Sequence, residues 1–344
     1  MIGLPLSSDE PPQVAGAVVD RGSAAGGRAD RSSGSEPPPA GAEAGPGGDV
    51  AIAPPPDSFD APPAPPAPPP AQLDATPPRA VTGTGTWAVM IGINDYPGTR
   101  HDLRSAVADA DDVNLALARM GVPGSQRLLI RDRQATAATV KRAAEWLRNH
   151  AGPDAVAVFF YAGHIRDLGH GTQAIVGADG ALVTDKDLAA VLNGVQARRA
   201  WVALAACYAG GFTEVRKPGW VLTAAAGARE LAYENERFGR SYMVEYMVRR
   251  AMIEGHAAGS VEASFNWARS ELARDFPNRL PVQYDDDPAE LDLRQPGARV
   301  LAPSPTSTVA PPPETTAPSD GSGSAGGSGD AGGSGGSGGG AGGS

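Results

Sequence analysis

With one cysteine in 344 residues, Cys207, the chain excludes an intramolecular disulfide framework, and its cysteine usage does not identify a redox compartment. No run reaches the roughly 18 apolar residues of a membrane-spanning helix, so no membrane association is expected. Met1–Pro12 lacks a basic region followed by an apolar stretch, so the default expectation is a soluble, cytoplasmic protein. Blocks of Lys and Arg are missing as well. The formal charge of −10 sits mostly in the tails: residues 1–86 hold ten acids and four bases, and residues 297–344 hold three acids and one base. The near-neutral middle has no electrostatic footprint for nucleic acid or anionic lipid. "GINDYPG" (Gly92–Gly98) lacks the spacing of a phosphate-binding loop, and no internal repeat of solenoid type is present.

Three compositional zones are present. Residues 1–86 show no sustained apolar periodicity, and Ala51–Ala80 alone holds twelve prolines, so a stiff, disordered arm is expected. Residues 297–344 pass from Pro-rich to Gly/Ser-rich, with nothing to bury, and are expected to be a disordered tail. Residues 87–296 carry nearly all the large apolar side chains, which suits one domain.

Within that domain apolar runs alternate with amphipathic stretches, the pattern of an α/β sheet covered by helices on both faces. "TWAVMIGIN", "RLLIRD", "AVAVFFYAG", "RRAWVALAAC" and "GWVLTAAAG" read as strands, and "TQAIVGAD" as a shorter one. Leu103 to Met120 repeats apolar residues at helical spacing up to Gly121 and Pro123. A second helix starts at Thr136 or Thr139 and stops at Gly152–Pro153, and a third is capped by Thr184. Two more, about Ser241–Glu254 and Ser260–Phe276, precede "NRLPVQYDDD".

"VAVFFYAGHI" and "WVALAACYAGGF" are both too apolar to face water and both end at a reactive side chain, His164 and Cys207. Ligands of open α/β sheets bind beyond the carboxyl ends of the strands. Parallel neighbours would therefore bring imidazole and thiol to one rim, with small residues beside each to admit a peptide backbone. A thiolate there can form an acyl-enzyme while the imidazole protonates the leaving amine. Backbone amides of the glycine turn at Ala209–Gly211 would be available to an oxyanion.

Several ordered motifs resemble the caspase and metacaspase superfamily, peptidase family C14. "AVMIGINDY" (Ala88–Tyr96) is similar to its opening strand and turn, "LRSAVADADDVNLALARMG" to its first helix, "FFYAGH" to its histidine motif and "LAACYAGG" to its cysteine motif. The resemblance implies a caspase-like three-layer α/β/α sandwich with a mostly parallel central sheet. It implies a cysteine endopeptidase with Cys207 as nucleophile, His164 as general acid and base, and the amides of Gly163 and Cys207 as oxyanion donors. No cofactor is required for bond cleavage, the partner is a protein or peptide substrate, and a monomer is expected. Two acids commonly hold a basic P1 side chain in metacaspases. Here Asp109 matches the first and Ala205 stands at the second, so half of that clamp is missing. Ile165 replaces the glycine after the histidine, and Tyr208 stands where a histidine is usual.

Other readings stay open: a catalytically idle caspase fold serving as a scaffold or binding module, and a doubly wound domain binding a small ligand at its rim. His170 in "DLGHGT" is a lesser candidate base. "YDDDPAE" raises calcium dependence weakly, since it lacks the spacing of an EF-hand loop and reads first as a solvated acidic turn.

Overall fold

In the computed structural model, residues 48–297 are described, except Asp60 and Ala258. The expectations for residues 1–47 and 298–344 lie outside the described residues. The chain enters with β1 (Asp49–Ala51) and β2 (Gly83–Gly92), followed by α1 (Ala106–Arg119), β3 (Arg127–Arg131), α2 (Ala137–His150) and β4 (Ala151–Ala162). It continues through β5 (Ile165–Asp167), β6 (Gln173–Val176), β7 (Leu182–Thr184), α3 (Asp185–Leu192), β8 (Arg199–Ala205) and β9 (Trp220–Ala224). β10 (Tyr233–Asn235), β11 (Arg240–Ser241), α4 (Val244–Ile253), α5 (Val261–Asp275) and β12 (Val282–Asp285) complete it.

The central sheet has six strands in the order β12–β9–β8–β4–β2–β3, parallel except for β12. Side chains of the middle strands alternate between two cores. Ile91, Phe159, Tyr161, Val202 and Leu204 pack with α2 and α3 on one face. Met90, Phe160, Trp201 and Ala203 pack with α1, α4 and α5 on the other. Burial on both faces explains the unbroken apolar runs of β4 and β8. This is the three-layer α/β/α sandwich that the alternation of runs implied.

Local signals place the helix ends. The Thr136, Thr184 and Ser260 hydroxyls accept the amides of Thr139, Asp187 and Ala263 at 3.0–3.1 Å, each worth about 1 kcal/mol. Gly121 (φ 83°) closes α1 in the left-handed conformation. α4 is π-type, and its two ion pairs, Arg250–Glu245 and Arg249–Glu254, are spaced five residues apart as that winding requires.

Two differences from the sequence reading have local causes. Gly152 and Pro153 do not end a helix in a loop. α2 gives way directly to β4, and Gly152 lies so close to β2 that a Cβ would fall 2.7 Å from the Gly83 carbonyl oxygen. Within residues 48–86, assigned by composition to a disordered arm, several described stretches lie against the domain: β1 pairs antiparallel with β10, and Ile52 is buried. Further along the arm, Arg142 donates to the Leu73 carbonyl at 2.9 Å and pairs with Asp74 at 2.8 Å.

Candidate active site at the carboxyl end of the sheet

Ala162 and Ala205 are registered partners on β4 and β8. His164 and Cys207 each lie two residues further on. Parallel neighbours run about 4.8 Å apart, so the two residues leave the sheet at the same rim, both buried.

His164 is gripped from several sides. Its amide donates to the Tyr96 hydroxyl at 2.8 Å, its carbonyl accepts from the Tyr161 hydroxyl at 2.8 Å, and its ring lies 4.6 Å from that of Tyr96. Nε2 stands 2.8 Å from the His101 carbonyl oxygen. A carbonyl only accepts, so Nε2 carries the proton and Nδ1 holds the lone pair. Nδ1 is buried and has no hydrogen-bond partner among the described residues. Burial pushes the imidazole down to about 4, so it is neutral at pH 7. Gly163 makes room for this arrangement: a Cβ there would lie 2.5 Å from the Tyr161 hydroxyl and 2.6 Å from that of Tyr96.

Cys207 is held differently. Its thiol donates to the Ile52 carbonyl at 3.3 Å and accepts the Ala232 amide at 3.2 Å. Ile52, Ala226 and Ala232 surround it with apolar surface. Burial pushes the thiol up to about 11, with the Ala232 amide opposing, so the sulfur is protonated at neutral pH. Thiol and imidazole share no hydrogen bond among the described residues. Each is occupied elsewhere, and Nδ1 is left without a partner.

The turn after Cys207 corrects the expectation for two of the three amides of Ala209–Gly211. Tyr208 adopts a left-handed conformation (φ 57°), and its amide donates to Glu230 O at 2.9 Å. The Gly210 amide donates to Ala226 O at 2.9 Å and that of Gly211 to Tyr208 O at 3.0 Å. These donors are committed to the fold and are not open to an oxyanion.

Asp109 lies in α1 and is buried, its Oδ1 accepting the Ser241 amide at 3.1 Å, and burial raises its pKa well above the usual carboxylate range. Ala205 packs in the apolar core on the α1 face. A second acid, Glu234 of β10, accepts the Ser105 amide at 2.9 Å and so ties β10 to the start of α1. The acidic run near the C-terminal end is met by arginines, Asp286 by Arg216 at 2.7 Å and Asp287 by Arg199 at 2.7 Å. Among the described residues no three His, Cys, Asp or Glu side chains gather as a metal site. His170 sits exposed in a loop with φ 53°.

Sequence reasoning missed the His101 carbonyl and Ile52 as parts of this site, whereas Tyr161 stood inside the motif Phe159–His164. Tyr96 did stand inside the stretch Ala88–Tyr96 that carried the resemblance. Nothing in the local pattern marks a hydroxyl or a carbonyl whose partner lies 60 or more positions away.

The model of the caspase domain, peptidase family C14, matches residues 86–275, more than half of the chain. The chain belongs to this family. Among solved structures it is similar to the protein GSU0716 of Geobacter sulfurreducens, at 15% identity over 61% of this chain and 97% of that one, with a TM-score of 0.49. No curated protein matches the sequence. No helix among the described residues is long and apolar enough to cross a membrane. The caspase domain thus contains both β4 with His164 and β8 with Cys207.

Proposed function

We propose that this caspase domain is a cysteine endopeptidase with Cys207 as nucleophile and His164 as general base and then acid. The observation that carries this reading is the bond from His164 Nε2 to the His101 carbonyl, which leaves a buried, unpaired Nδ1 on the rim that Cys207 shares. Nδ1 takes the thiol proton as sulfur attacks the scissile carbonyl carbon. The resulting imidazolium gives that proton to the leaving amine, and water then releases the acyl group. The amides of Gly163 and Cys207 are the donors assigned to the oxyanion. Asp109 supports a basic P1 preference only weakly, because it is already engaged by Ser241 and its burial favours the neutral form.

A second reading, a caspase fold kept as a binding module, is favoured by the protonation states: both thiol and imidazole are neutral and each is bonded to another partner. A positional-scanning peptide library read with wild type and Cys207→Ala separates the two. The protease reading expects hydrolysis that falls about 10³-fold or more in the variant, together with covalent capture by a peptidyl chloromethyl ketone. No turnover by either protein leaves the binding module, and equal turnover by both removes Cys207 as the nucleophile.

A further inference from the structure

Asp49–Ile52 meets the site as an extended peptide would. β1 adds to the edge of β10 in antiparallel register, Val50 opposite Glu234 and Ala51 opposite Tyr233. The pairing continues one residue on, with the Ile52 amide donating to Ala232 O at 3.1 Å. Main-chain bonding of this kind accepts many sequences, and pockets for the side chains supply selectivity. Two such pockets are filled. The Ile52 side chain is buried against Cys207, Ala226 and Ala232, with its carbonyl oxygen facing the sulfur. Three residues before it, the Asp49 carboxylate accepts from the Tyr242 hydroxyl, from Asn235 Nδ2 at 3.1 Å and from Arg279 Nη2 at 3.4 Å. The Arg279 guanidinium lies 3.4 Å over the centre of the Tyr233 ring, which fixes its direction.

The arm then crosses from the cysteine to the histidine side. Arg166 donates to the carbonyls of Pro56 and Asp57, and the Phe59 ring stacks on Tyr96 and meets His101 edge-on at 5.8 Å. One segment, residues 49–59, therefore covers Cys207 and packs on Tyr96 and His101, the two residues that bond His164.

We infer that the edge of β10 is a peptide-docking groove that takes a carboxylate three residues before an aliphatic side chain, and that in the resting chain Asp49–Ile52 occupies it as an intramolecular pseudosubstrate. The inference rests on reading Cys207 as the reactive group toward which the peptide carbonyl points. The aliphatic residue lies against the sulfur, and the acid is held by Arg279, Asn235 and Tyr242. An exogenous peptide of the same pattern enters only when the strap lifts.

The test uses the full chain, whose single cysteine makes thiol labelling unambiguous. Alkylation of Cys207 by iodoacetamide is timed in wild type, Asp49→Ala and Ile52→Asp, with folding checked by thermal melting. Both variants are expected to react at least tenfold faster than wild type. In the full chain carrying Ile52→Asp and Cys207→Ala, a fluorescein-labelled Asp-Val-Ala-Ile amide should bind by anisotropy at least tenfold more tightly than its Ala-Val-Ala-Ile counterpart. Should Ile52→Asp fail to fold, the same peptides are compared in Asp49→Ala carrying Cys207→Ala. Equal alkylation rates in all three chains overturn the strap, and equal or absent binding of the two peptides overturns the groove. Fast alkylation and selective binding without hydrolysis of any library peptide preserve this inference while removing the protease reading.

Discussion

The two sides of the rim are built on opposite plans. On the histidine side, hydroxyls, carbonyls and a ring face fix His164 through its amide, its carbonyl and Nε2. On the cysteine side, the sulfur rests in apolar surface, and one of its two partners belongs to the arm. His164 is set in place by the fold, whereas Cys207 is covered by a segment that joins the domain through an edge strand and a few side chains. Polar contacts thus fix the tautomer and direction of His164, while Cys207 depends in part on a segment from outside the sheet.

The contrast can be broken most severely at Gly163. Gly163→Ala drives a methyl into the Tyr96 and Tyr161 hydroxyls, and should lower stability by about 3 kcal/mol in urea unfolding. The same change is expected to leave the pairing of β1 with β10 intact in hydrogen exchange if the two sides are independent. Early exchange of Tyr233–Asn235 amides would instead show them to be one unit.

pH tests the histidine side more gently. The unfolded chain takes up the His164 proton near pH 6.5 and the folded chain only near 4. Stability fully present above about pH 6.5 is therefore lost as pH falls toward 4, by about 3 kcal/mol at the limit. Urea midpoints at pH 7 and pH 4 should show this loss, and His164→Gln should remove that part of it.

Asp109, which accepts the Ser241 amide behind the β10 wall, has the opposite sign. Its folded pKa is raised by burial, so its contribution to stability declines as pH rises above its unfolded value of about 3.8. Asp109→Asn keeps an acceptor for Ser241 and removes the ionisation. Its urea midpoint is expected to exceed that of wild type at pH 7 and to converge with it in acid. A lower midpoint at pH 7 would mean that the carboxylate, not its neutral form, holds β11 to α1.

Much of this was legible in residue order. Strands buried on both faces must be apolar throughout, and such runs leave a polar residue at their end conspicuous, which is how His164 and Cys207 stood out. The cap at Thr184, and that at Thr136 as one of two choices with Thr139, followed from hydroxyls placed before amphipathic stretches. β1 and β10 were not legible, because "DVA" and "YEN" are three residues each and owe their conformation to one another rather than to composition. Proline density predicted a solvated arm, yet proline also makes an extended chain less costly to order. Once Ile52, Phe59 and Asp49 find partners on the domain, the arm lies down. The lost acid at Ala205 was visible, while Glu234, which brings a carboxylate toward the same region from β10, was hidden in a segment with no periodicity.

The strap is joined through residues 60–82 to β2, the strand that lies beside β4 in the sheet. Lifting it therefore does not remove it: the displaced segment stays leashed to the domain at a local concentration on the order of millimolar. On the inference of a docking groove, a free peptide would have to outcompete that tethered neighbour, and severing the leash between Phe59 and Gly83 would turn a reversible cover into one that drifts away.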